Sequence, residues 1–567
     1  MKRLAPLALA LAAALAAPLT PVCADDHGVP LNTPLGTIIG AKTDDEEIVT
    51  FNGLPFAAPP VGPLRWTAPQ PAAALESPFD ATAFGAQCPQ SRGSNAYGQL
   101  MAQRVGLTEA ERKALAEAAK TATPLEESED CLTLNIRTGN AGGEPLQPVM
   151  VWIHGGAHQN GTGANPLYQS NTLVKQGVVL VTVNYRLGAL GYMAHPALSA
   201  ENPDKASGNY GLMDQIAALE WIRDNIAAFG GDPDNVLIFG ESAGAQSVTE
   251  LMAAPASHGL YDKAILQSGV SSGNIRHLKI SRLGVRSGEA IGTEFMAPLV
   301  DGEATPEALR AVSVDALLDR AAERRDLSRT FLPVIDGAVL PRAIGLAIRD
   351  GETPDIAILG GFNADEGSLL YPFIGTPTRF RQPFPTNQAD RLAALRDLYG
   401  DAGGTRLAAL YGMDDPTSFV RGSVDMIGDD VFGVPTRFLA REHVAEGRAF
   451  YGYFFTRVPP RKGQTAGAFH ASEIPFVFDT HGGVFVADDK DRALTDVMGR
   501  FWTQFAKTGN PNIDGLMTWP AYDPAKDEWL NLDRRITVLS RVRKEKFDIQ
   551  EKALRDILED VDRIDGR

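Results

Sequence analysis

Short, almost wholly apolar runs alternate along the chain with longer segments that are apolar on one face only. The short runs are rich in Val, Ile and aromatic residues, which predicts strands. Runs so uniformly apolar are typical of parallel strands that are buried on both faces of a sheet. The predicted strands are Val149–Ile153, Val178–Asn184, Asn235–Phe239, Lys263–Gln267, Asp355–Gly360 and Ala449–Thr456.

Helical patterns lie between these runs. In Tyr210–Phe229, the residues Leu212 and Ile216 recur at helical spacing with other apolar residues. Strands that alternate with helices predict an α/β protein with a doubly wound, mostly parallel sheet. Two runs near the start, Gly36–Ala41 and Glu47–Phe51, predict an antiparallel hairpin at the edge of that sheet. Because no long linker or internal repeat divides the chain, we expect one domain over residues 25–567.

Two helical additions to this domain are predicted. Residues 108–111 (Thr-Glu-Ala-Glu) form a capping box that opens a helix through about Lys120, within an insertion at about 92–127. A C-terminal helix at about 544–564 is amphipathic. Its apolar face either docks on its own domain or forms a dimer contact, so both a monomer and a homodimer stay open. That face carries Phe547, Leu554, Ile557, Leu558 and Val561.

The first 24 residues resemble an export signal peptide. Lys2 and Arg3 precede an Ala/Leu-rich core, and residues 22–24 (Val-Cys-Ala) offer a cleavage site. Two prolines interrupt the core, which argues against a membrane-spanning helix. The residues before Cys23 do not favour its lipidation. We therefore expect a periplasmic or secreted protein that has no membrane contact after the signal is removed.

Charge and cysteine content fit this interpretation. The formal net charge is −17, and removing the signal would take away two cations and no acid. So acidic a surface disfavours nucleic acid and anionic membrane as partners. Two cysteines then remain, Cys88 and Cys131, and an even number in an oxidising compartment indicates one disulfide. The alternative is a pair of unpaired buried thiols.

Ser242 is the candidate nucleophile. Residues 240–244 read Gly-Glu-Ser-Ala-Gly, between the strand Asn235–Phe239 and a predicted helix at Ala243–Ala254. This is the context of a nucleophile elbow, in which glycines permit a strained turn and a closely packed helix. A second match to G-x-S-x-G centres on Ser271. It is not followed directly by a helical apolar face, so the context favours Ser242.

A serine hydroxyl needs a base to accept its proton and an acid to orient that base. Such groups lie beyond the carboxyl ends of the strands in a doubly wound sheet. Asp365 and Glu366 follow one late strand and His470 follows the next, in the Ser–acid–His order of α/β hydrolases. The residues alone leave Asp365 and Glu366 as alternatives. None of the rival histidines follows a late strand so directly: His154, His158, His195, His258, His277, His443 and His481.

The loop His154-Gly-Gly-Ala157 follows the strand Val149–Ile153. Backbone N–H groups in such a loop, with that of Ala243, form an oxyanion hole; a purely structural glycine turn is the alternative. His154 and His158 are four residues apart, but they flank glycines in a loop rather than share a helix face. We therefore expect no metal here.

Together these stretches closely resemble the type-B carboxylesterase family, which includes cholinesterases and bacterial para-nitrobenzyl esterases. The resemblance runs from about residue 34 to 540. Its motifs lie at residues 51–66 (FNGLPFAAPPVGPLRW), 129–135 (EDCLTLN), 151–157 (VWIHGGA), 184–188 (NYRLG), 208–215 (GNYGLMDQ), 239–244 (FGESAG), 365–367 (DEG) and 470–473 (HASE).

The resemblance implies an α/β-hydrolase fold and hydrolysis of carboxylic esters through an acyl-enzyme, without metal or organic cofactor. It implies Ser242 as nucleophile, Glu366 rather than Asp365 as acid, and His470 as general base and acid. It also assigns the remaining site residues. These are the oxyanion donors Gly156, Ala157 and Ala243, the disulfide Cys88–Cys131, and an ion pair between Arg65 and Glu129.

Several positions depart from the family pattern. Ala157 stands, as in some bacterial members, where others have glycine, and His158 stands where a bulky aromatic residue is usual. We therefore expect Gly155 and His158 to border the substrate pocket. The insertion at about 92–127 is either a lid that shapes the substrate site or an inert addition.

Two alternatives to an esterase stay open. The same triad would serve an amide, a carbamate or a lactone. A non-catalytic binding protein of the same fold is the rival from another class. No equivalent of the choline-binding tryptophan is found, so we do not expect cholinesterase activity.

Overall fold

The computed structural model describes residues 28–90, 96–121, 124–370 and 387–566. The predicted signal peptide and the start of the predicted insertion lie outside the described residues. The strands are β1 Gly28–Thr33, β2 Gly36–Lys42, β3 Val49–Pro55, β4 Phe79–Asp80, β5 Thr133–Thr138, β6 Gln147–Ile153, β7 Val179–Val183, β8 Gly231–Glu241, β9 Lys263–Gln267, β10 Ala357–Asn363, β11 Phe450–Phe455, β12 Glu528–Leu532 and β13 Thr537–Ser540.

These described strands form one thirteen-stranded sheet. Its order is β1-β2-β3-β5-β7-β6-β8-β9-β10-β11-β12-β13, with β4 beside β2. The strands from β7 to β12 in this order run parallel. The strands at both ends of the order pair antiparallel, whereas the short β4 runs parallel to β2. All six predicted strands are present, β9 with the predicted bounds. The α/β prediction is confirmed.

The hairpin prediction is partly wrong. β2 and β3 pair antiparallel as expected, with Ala41 opposite Thr50. However, β1 pairs with the other side of β2 and forms the edge of the sheet. Its sequence, Gly-Val-Pro-Leu-Asn-Thr, contains no apolar run long enough to predict a strand.

Alternation along the central strands builds a core on each face of the sheet. On β6, Val151 and Ile153 belong to one core, whereas Met150 and Trp152 belong to the other. Successive side chains of a strand point to opposite faces, so a continuous apolar run fills both cores. This explains why the central strands are apolar throughout.

Helices cover both faces. The predicted helix at Tyr210–Phe229 is α-helical to Asn225 and then a 3₁₀ turn, which Gly230 ends in a left-handed conformation at φ 83°. No helix within the described ranges is long and apolar enough to cross a membrane. The α-helices span Ala96–Arg104, Glu109–Thr121, Asn171–Lys175, Gly188–Tyr192, Pro196–Glu201, Tyr210–Asn225, Ala243–Ala253, Gly288–Met296, Pro306–Arg310, Val314–Glu323, Arg325–Ser328, Ile344–Arg349, Gly367–Leu370, Gln388–Leu410, Phe419–Gly428, Val434–Ala445, Ile474–Phe478, Asp489–Thr508 and Lys544–Asp565.

Both predicted additions are helical. The capping box forms, because Thr108 N donates to Glu111 Oε2 and Glu111 N donates to Thr108 Oγ1. A preceding helix, Ala96–Arg104, had no counterpart in the sequence prediction. The C-terminal helix Lys544–Asp565 buries Phe547 and other apolar residues against the rest of its own chain. Its apolar face is therefore covered within one chain.

Candidate active site

Ser242 lies at a strained turn between β8 and the helix Ala243–Ala253. Its φ and ψ are 57° and −123°, a region that non-glycine residues rarely adopt. Two hydrogen bonds fix the turn. Ser242 N donates to Gln267 O on β9 at 2.9 Å, and Gln246 N donates to Ser242 O at 2.9 Å. The geometry is that of a nucleophile elbow.

The glycines around Ser242 are required by close packing. A Cβ atom at Gly244 would lie 2.0 Å from Ile153 O, and one at Gly240 would lie 2.5 Å from the carbonyl carbon of Gly244. Gly155 faces the same elbow, where a Cβ would lie 2.6 Å from Glu241 O. Only glycine lets these three backbone segments meet.

The second G-x-S-x-G match has a different setting. Ser271 begins a short 3₁₀ turn, Ser271–Gly273, and its side chain is buried. Its Oγ donates to Glu250 Oε1 at 2.8 Å. Of the two serines, only Ser242 stands at a strand-to-helix turn with a positive φ.

The structure distinguishes Glu366 from Asp365, which the sequence alone leaves as alternatives for the acid. His470 Nδ1 donates to Glu366 Oε2 at 2.6 Å, and both side chains are buried. Glu366 Oε1 accepts from Asn363 N at 2.7 Å, which holds the carboxylate in place. Glu366 is thus the carboxylate that contacts the imidazole.

Asp365 faces the loop before His470 instead. Its Oδ2 accepts from Ala468 N at 2.9 Å, and its own N–H donates to Ala468 O at 2.9 Å. Arg421 Nη2 donates to the other carboxylate oxygen at 2.5 Å. Asp365 therefore fixes the course of the histidine loop without contacting the ring.

Glu241 lies on the other side of the imidazole. Its Oε1 is 3.0 Å from His470 Nε2, which brings the ring beside the residue that precedes Ser242. His470 Nε2 and Glu241 Oε1 have no hydrogen-bond partner among the described residues. No hydrogen bond therefore joins Ser242 to His470 in this structure. Catalytic hydrogen bonds are often long in the absence of substrate.

Burial shifts the pKa values of the carboxyl groups around His470. It raises the pKa of Glu241 to about 8. Burial also raises the pKa of Glu473, which accepts from Asn363 Nδ2 at 2.6 Å. Burial alone would lower the pKa of His470, but the neighbouring carboxyl groups outweigh it and raise that pKa. Of these carboxyl groups, Glu366 is the one hydrogen-bonded to the ring, through His470 Nδ1.

Three of these neighbours were not singled out from the sequence. Glu241 and Glu473 stand inside recognised motifs, but nothing in their spacing shows that they face one histidine. Phe432 lies on a π-helical segment, Asp429–Gly433, and its ring centre is 4.5 Å from that of His470. Such segments are frequent at functional sites. They leave no periodic signal in a sequence.

The loop after β6 has the form expected of an oxyanion hole. Gly156, Ala157 and His158 have positive φ in succession, at 113°, 57° and 57°. Gly156 and Ala157 are exposed, whereas Ala243 is buried at the start of its helix. Within the described chain, the N–H groups of Gly156, Ala157 and Ala243 donate to no backbone acceptor. They remain available to an external oxygen.

His154 and His158 have different neighbours. The His154 ring stacks on Tyr185, with centroids 4.5 Å apart, and its Nδ1 is 2.9 Å from Gly155 O. His158 Nε2 is 3.2 Å from Ser247 Oγ, and the ring is buried between the loop and the helix Ala243–Ala253. The described residues contain no group of three or more side chains that could hold a metal ion.

The two pairings implied by the resemblance are present. Cys88 and Cys131 form a disulfide. Arg65 donates twice to Glu129, from Nε to Oε1 at 2.7 Å and from Nη2 to Oε2 at 2.5 Å. A bidentate ion pair of this kind is a strong, geometrically specific contact.

The insertion packs on the histidine loop. Ala102, Val105 and Leu107 share a small apolar core with Leu369 and Phe469, which follow Glu366 and precede His470. Arg461 Nη1 donates to Glu111 Oε1 at 2.6 Å. The insertion therefore touches both the segment that carries Glu366 and the segment that carries His470.

Comparison with known proteins is consistent with this arrangement. Residues 28–550 match the model of the carboxylesterase family. A para-nitrobenzyl esterase of Bacillus subtilis (strain 168) is 35% identical, over 91% of this chain and 97% of that protein. A fumonisin B1 esterase of Sphingopyxis macrogoltabida is 34% identical, over 90% of this chain and 88% of that protein.

Solved structures show the same likeness. A PNB esterase superposes with a TM-score of 0.73 at 32% identity, covering 92% of this chain and 99% of its own. A carboxylesterase of Geobacillus stearothermophilus superposes with a TM-score of 0.74 at 29% identity and the same coverage.

Proposed function

Since the chain belongs to the carboxylesterase family and is a carboxylic ester hydrolase of the α/β-hydrolase fold, we propose that Ser242, His470 and Glu366 carry out its reaction. The observation that carries this proposal is the 2.6 Å contact of Glu366 with His470 Nδ1, while Nε2 faces the strained elbow. A serine, a base and an orienting acid on three separate strand ends are the parts that acyl transfer requires.

The first half of the reaction forms an acyl-enzyme. Ser242 Oγ attacks the ester carbonyl carbon while His470 Nε2 accepts the hydroxyl proton, and Glu366 stabilises the imidazolium. The carbonyl oxygen becomes negative and accepts hydrogen bonds from the N–H groups of Gly156, Ala157 and Ala243. The tetrahedral intermediate then collapses: the C–O bond to the alcohol breaks, and His470 gives its proton to the departing oxygen.

The second half releases the acid. His470, neutral again, removes a proton from a water molecule that attacks the acyl carbon. The same backbone N–H groups bind the second oxyanion. The bond to Ser242 Oγ breaks, the proton returns to Ser242, and the free enzyme and the carboxylic acid result.

The substrate class is a small-molecule carboxylic ester. Relatives named for para-nitrobenzyl esters and for fumonisin B1 differ widely in their substrates, so family membership does not fix the acyl or alcohol group. Amides, carbamates and lactones place an oxyanion in the same position and are the alternative substrates. A hydrolysis panel that varies acyl length, alcohol size and acidic groups distinguishes them.

We also propose that the mature enzyme is an exported single domain that begins at Asp25. Cleavage after Ala24 is supported by Lys2 and Arg3 at the start of the signal peptide, by its apolar core and by the small residues before the site. The disulfide fits an oxidising compartment. N-terminal sequencing of protein from the periplasm or medium tests this: a start at residue 25 is expected, and a retained residue 1 would contradict it.

Fluorophosphonate labelling followed by peptide mass mapping tests the chemistry. We expect one label per chain, on the peptide that contains Ser242, because the reagent phosphonylates only an activated serine. A label on Ser271 would overturn the assignment of the nucleophile. A chain that takes up no label would be a non-catalytic binding protein of this fold.

A further inference from the structure

A buried polar cluster lies beneath the oxyanion loop. It consists of His158 on the loop and Ser247 and Glu250 on the helix Ala243–Ala253, and we call it the His158 cluster. Ser247 Oγ accepts from Gln215 Nε2 at 3.1 Å, so its own hydroxyl hydrogen is free to be donated to His158 Nε2 at 3.2 Å. Glu250 Oε2 lies 3.7 Å from the same nitrogen.

The cluster is costly to bury. His158 and Glu250 are each 1% exposed and Ser247 is fully buried. His158 Nδ1 and Glu250 Oε2 have no hydrogen-bond partner in the described part of the chain. Buried polar groups without hydrogen-bond partners reduce stability, so packing alone does not account for these two. They lie between the oxyanion loop and the helix Ala243–Ala253, where polar contacts hold the loop and the helix together.

The loop needs an anchor because its backbone is strained. Ala157 and His158 both have a φ of 57°, where a non-glycine residue costs on the order of 1 kcal/mol and persists only when its surroundings hold it. The His158 carbonyl accepts from Gly188 N at 2.7 Å, which holds the backbone of the loop. The His158 side chain hydrogen-bonds to Ser247 on the helix that begins at Ala243.

Burial favours the neutral forms of both titratable groups in the cluster. Burial lowers the pKa of His158 to about 3 and raises that of Glu250 to about 8. The Ser271 hydroxyl also donates to Glu250. Within the cluster, the hydrogen bond between His158 Nε2 and Ser247 Oγ joins the loop to the helix, and Glu250 Oε2 packs beside it.

We infer that His158, through Ser247 and Glu250, positions the oxyanion loop against the nucleophile helix. The inference rests on the proposed function, because it concerns the geometry of the same oxyanion hole. The N–H groups of Gly156 and Ala157 come from the loop, whereas that of Ala243 comes from the helix. All three reach one oxygen only if loop and helix keep a fixed separation, within about 0.5 Å. His158 is a positioning residue and does not touch the reacting atoms.

A double-mutant cycle tests the inference with p-nitrophenyl butyrate as substrate. H158F keeps an aromatic ring of similar size but removes the ring nitrogens, and S247A removes their partner. Each single variant should lower kcat about tenfold with KM within about twofold, because only an interaction of the transition state is weakened. The double variant should be little worse than either single variant, since one contact is lost in all three.

The rate is expressed per serine that reacts with a fluorophosphonate, so that a misfolded fraction does not enter it. H277F makes the same substitution at a half-buried histidine outside the site, whose ring accepts from the backbone N–H groups of Lys279 and Ile280, and should leave kcat unchanged. If H158F does not fold, Glu250 carries the test: E250L should lose rate as S247A does, and E250Q, which keeps a polar amide, should recover most of it.

Wild-type kcat in H158F and S247A, or losses that multiply in the double variant, would overturn the inference while the esterase assignment stands. A rise in KM at unchanged kcat would do the same, because it would make His158 a substrate contact. A wild-type enzyme that neither turns over nor labels would overturn the proposed function, and the inference with it.

Discussion

Two adjacent carboxylates after β10 have different tasks. Glu366 reaches the imidazole of His470, whereas Asp365 holds the backbone of Ala468 and pairs with Arg421. Neighbouring residues on a turn project in different directions, so one step along the chain separates orienting the base from fixing its loop. Local sequence could not choose between these residues, and the family resemblance chose Glu366.

The two carboxylates should respond differently to substitution. E366Q removes the charge that orients and stabilises the imidazolium, and kcat should fall about 10²- to 10⁴-fold. D365N keeps part of the hydrogen bonding to the loop and should cost no more than about tenfold. Steady-state kinetics on both variants checks this. A larger loss in D365N than in E366Q would contradict the assignment of the acid.

Glu250 makes stability depend on pH. Burial raises its pKa from 4.5 to about 8, so the folded chain keeps this proton while the unfolded chain has lost it. Stability from this group is therefore present below pH 4.5 and is lost as pH rises toward about 8. E250Q should show a smaller fall in Tm between pH 5 and pH 8 than the wild type. An identical fall in both proteins would contradict the buried, protonated carboxyl.

At the scale of elements, sequence reasoning was most successful where the signal is local. β8, the turn at Ser242 and the following helix were predicted because an apolar run, a glycine-flanked serine and a helical pattern are contiguous. β1 and the helix Ala96–Arg104 were missed, since neither carries a strong apolar period. Contacts such as Glu241 with His470 join distant segments, and no local pattern encodes them.

The elbow's close packing predicts a specific intolerance. G244A would place a methyl group 2.0 Å from Ile153 O, so the helix must shift away from β6. We expect a loss of about 3 kcal/mol, the upper end of the usual cost of overpacking, in the free energy of unfolding, or no folding at all. G139A is the matched control, because its methyl group has no neighbour closer than 3.7 Å. Equal stability of the two variants in urea unfolding would contradict this packing.

Across the whole molecule, one sheet brings together groups that are far apart in sequence. The resemblance over about 34–540 is confirmed by the family match to residues 28–550, and the fold follows from it. The insertion, the loop that precedes His470 and the turn that carries Glu366 share a small apolar core. That joint arrangement could not be predicted, because it depends on how three loops meet beyond the sheet.

The disulfide should stabilise the whole chain. Cys88 and Cys131 close a loop of 43 residues, and restricting that loop in the unfolded state contributes about 4 kcal/mol. The double variant C88S/C131S should melt at a lower temperature than the oxidised wild type. Dithiothreitol should lower the wild-type Tm toward that of the variant and leave the variant unchanged. If complete reduction of the disulfide left the wild-type Tm unchanged, this contribution would be contradicted.

Turnover of p-nitrophenyl butyrate by S242A tests the central claim most directly. The exposed Ser540 on the edge strand supplies the control variant S540A, which should retain the wild-type rate. S242A should fold with an unchanged circular dichroism spectrum and lose at least about 10⁴-fold in kcat, since the hydroxyl that forms the acyl-enzyme is removed. Folded S242A that turns over the ester at a rate near that of S540A would contradict the account.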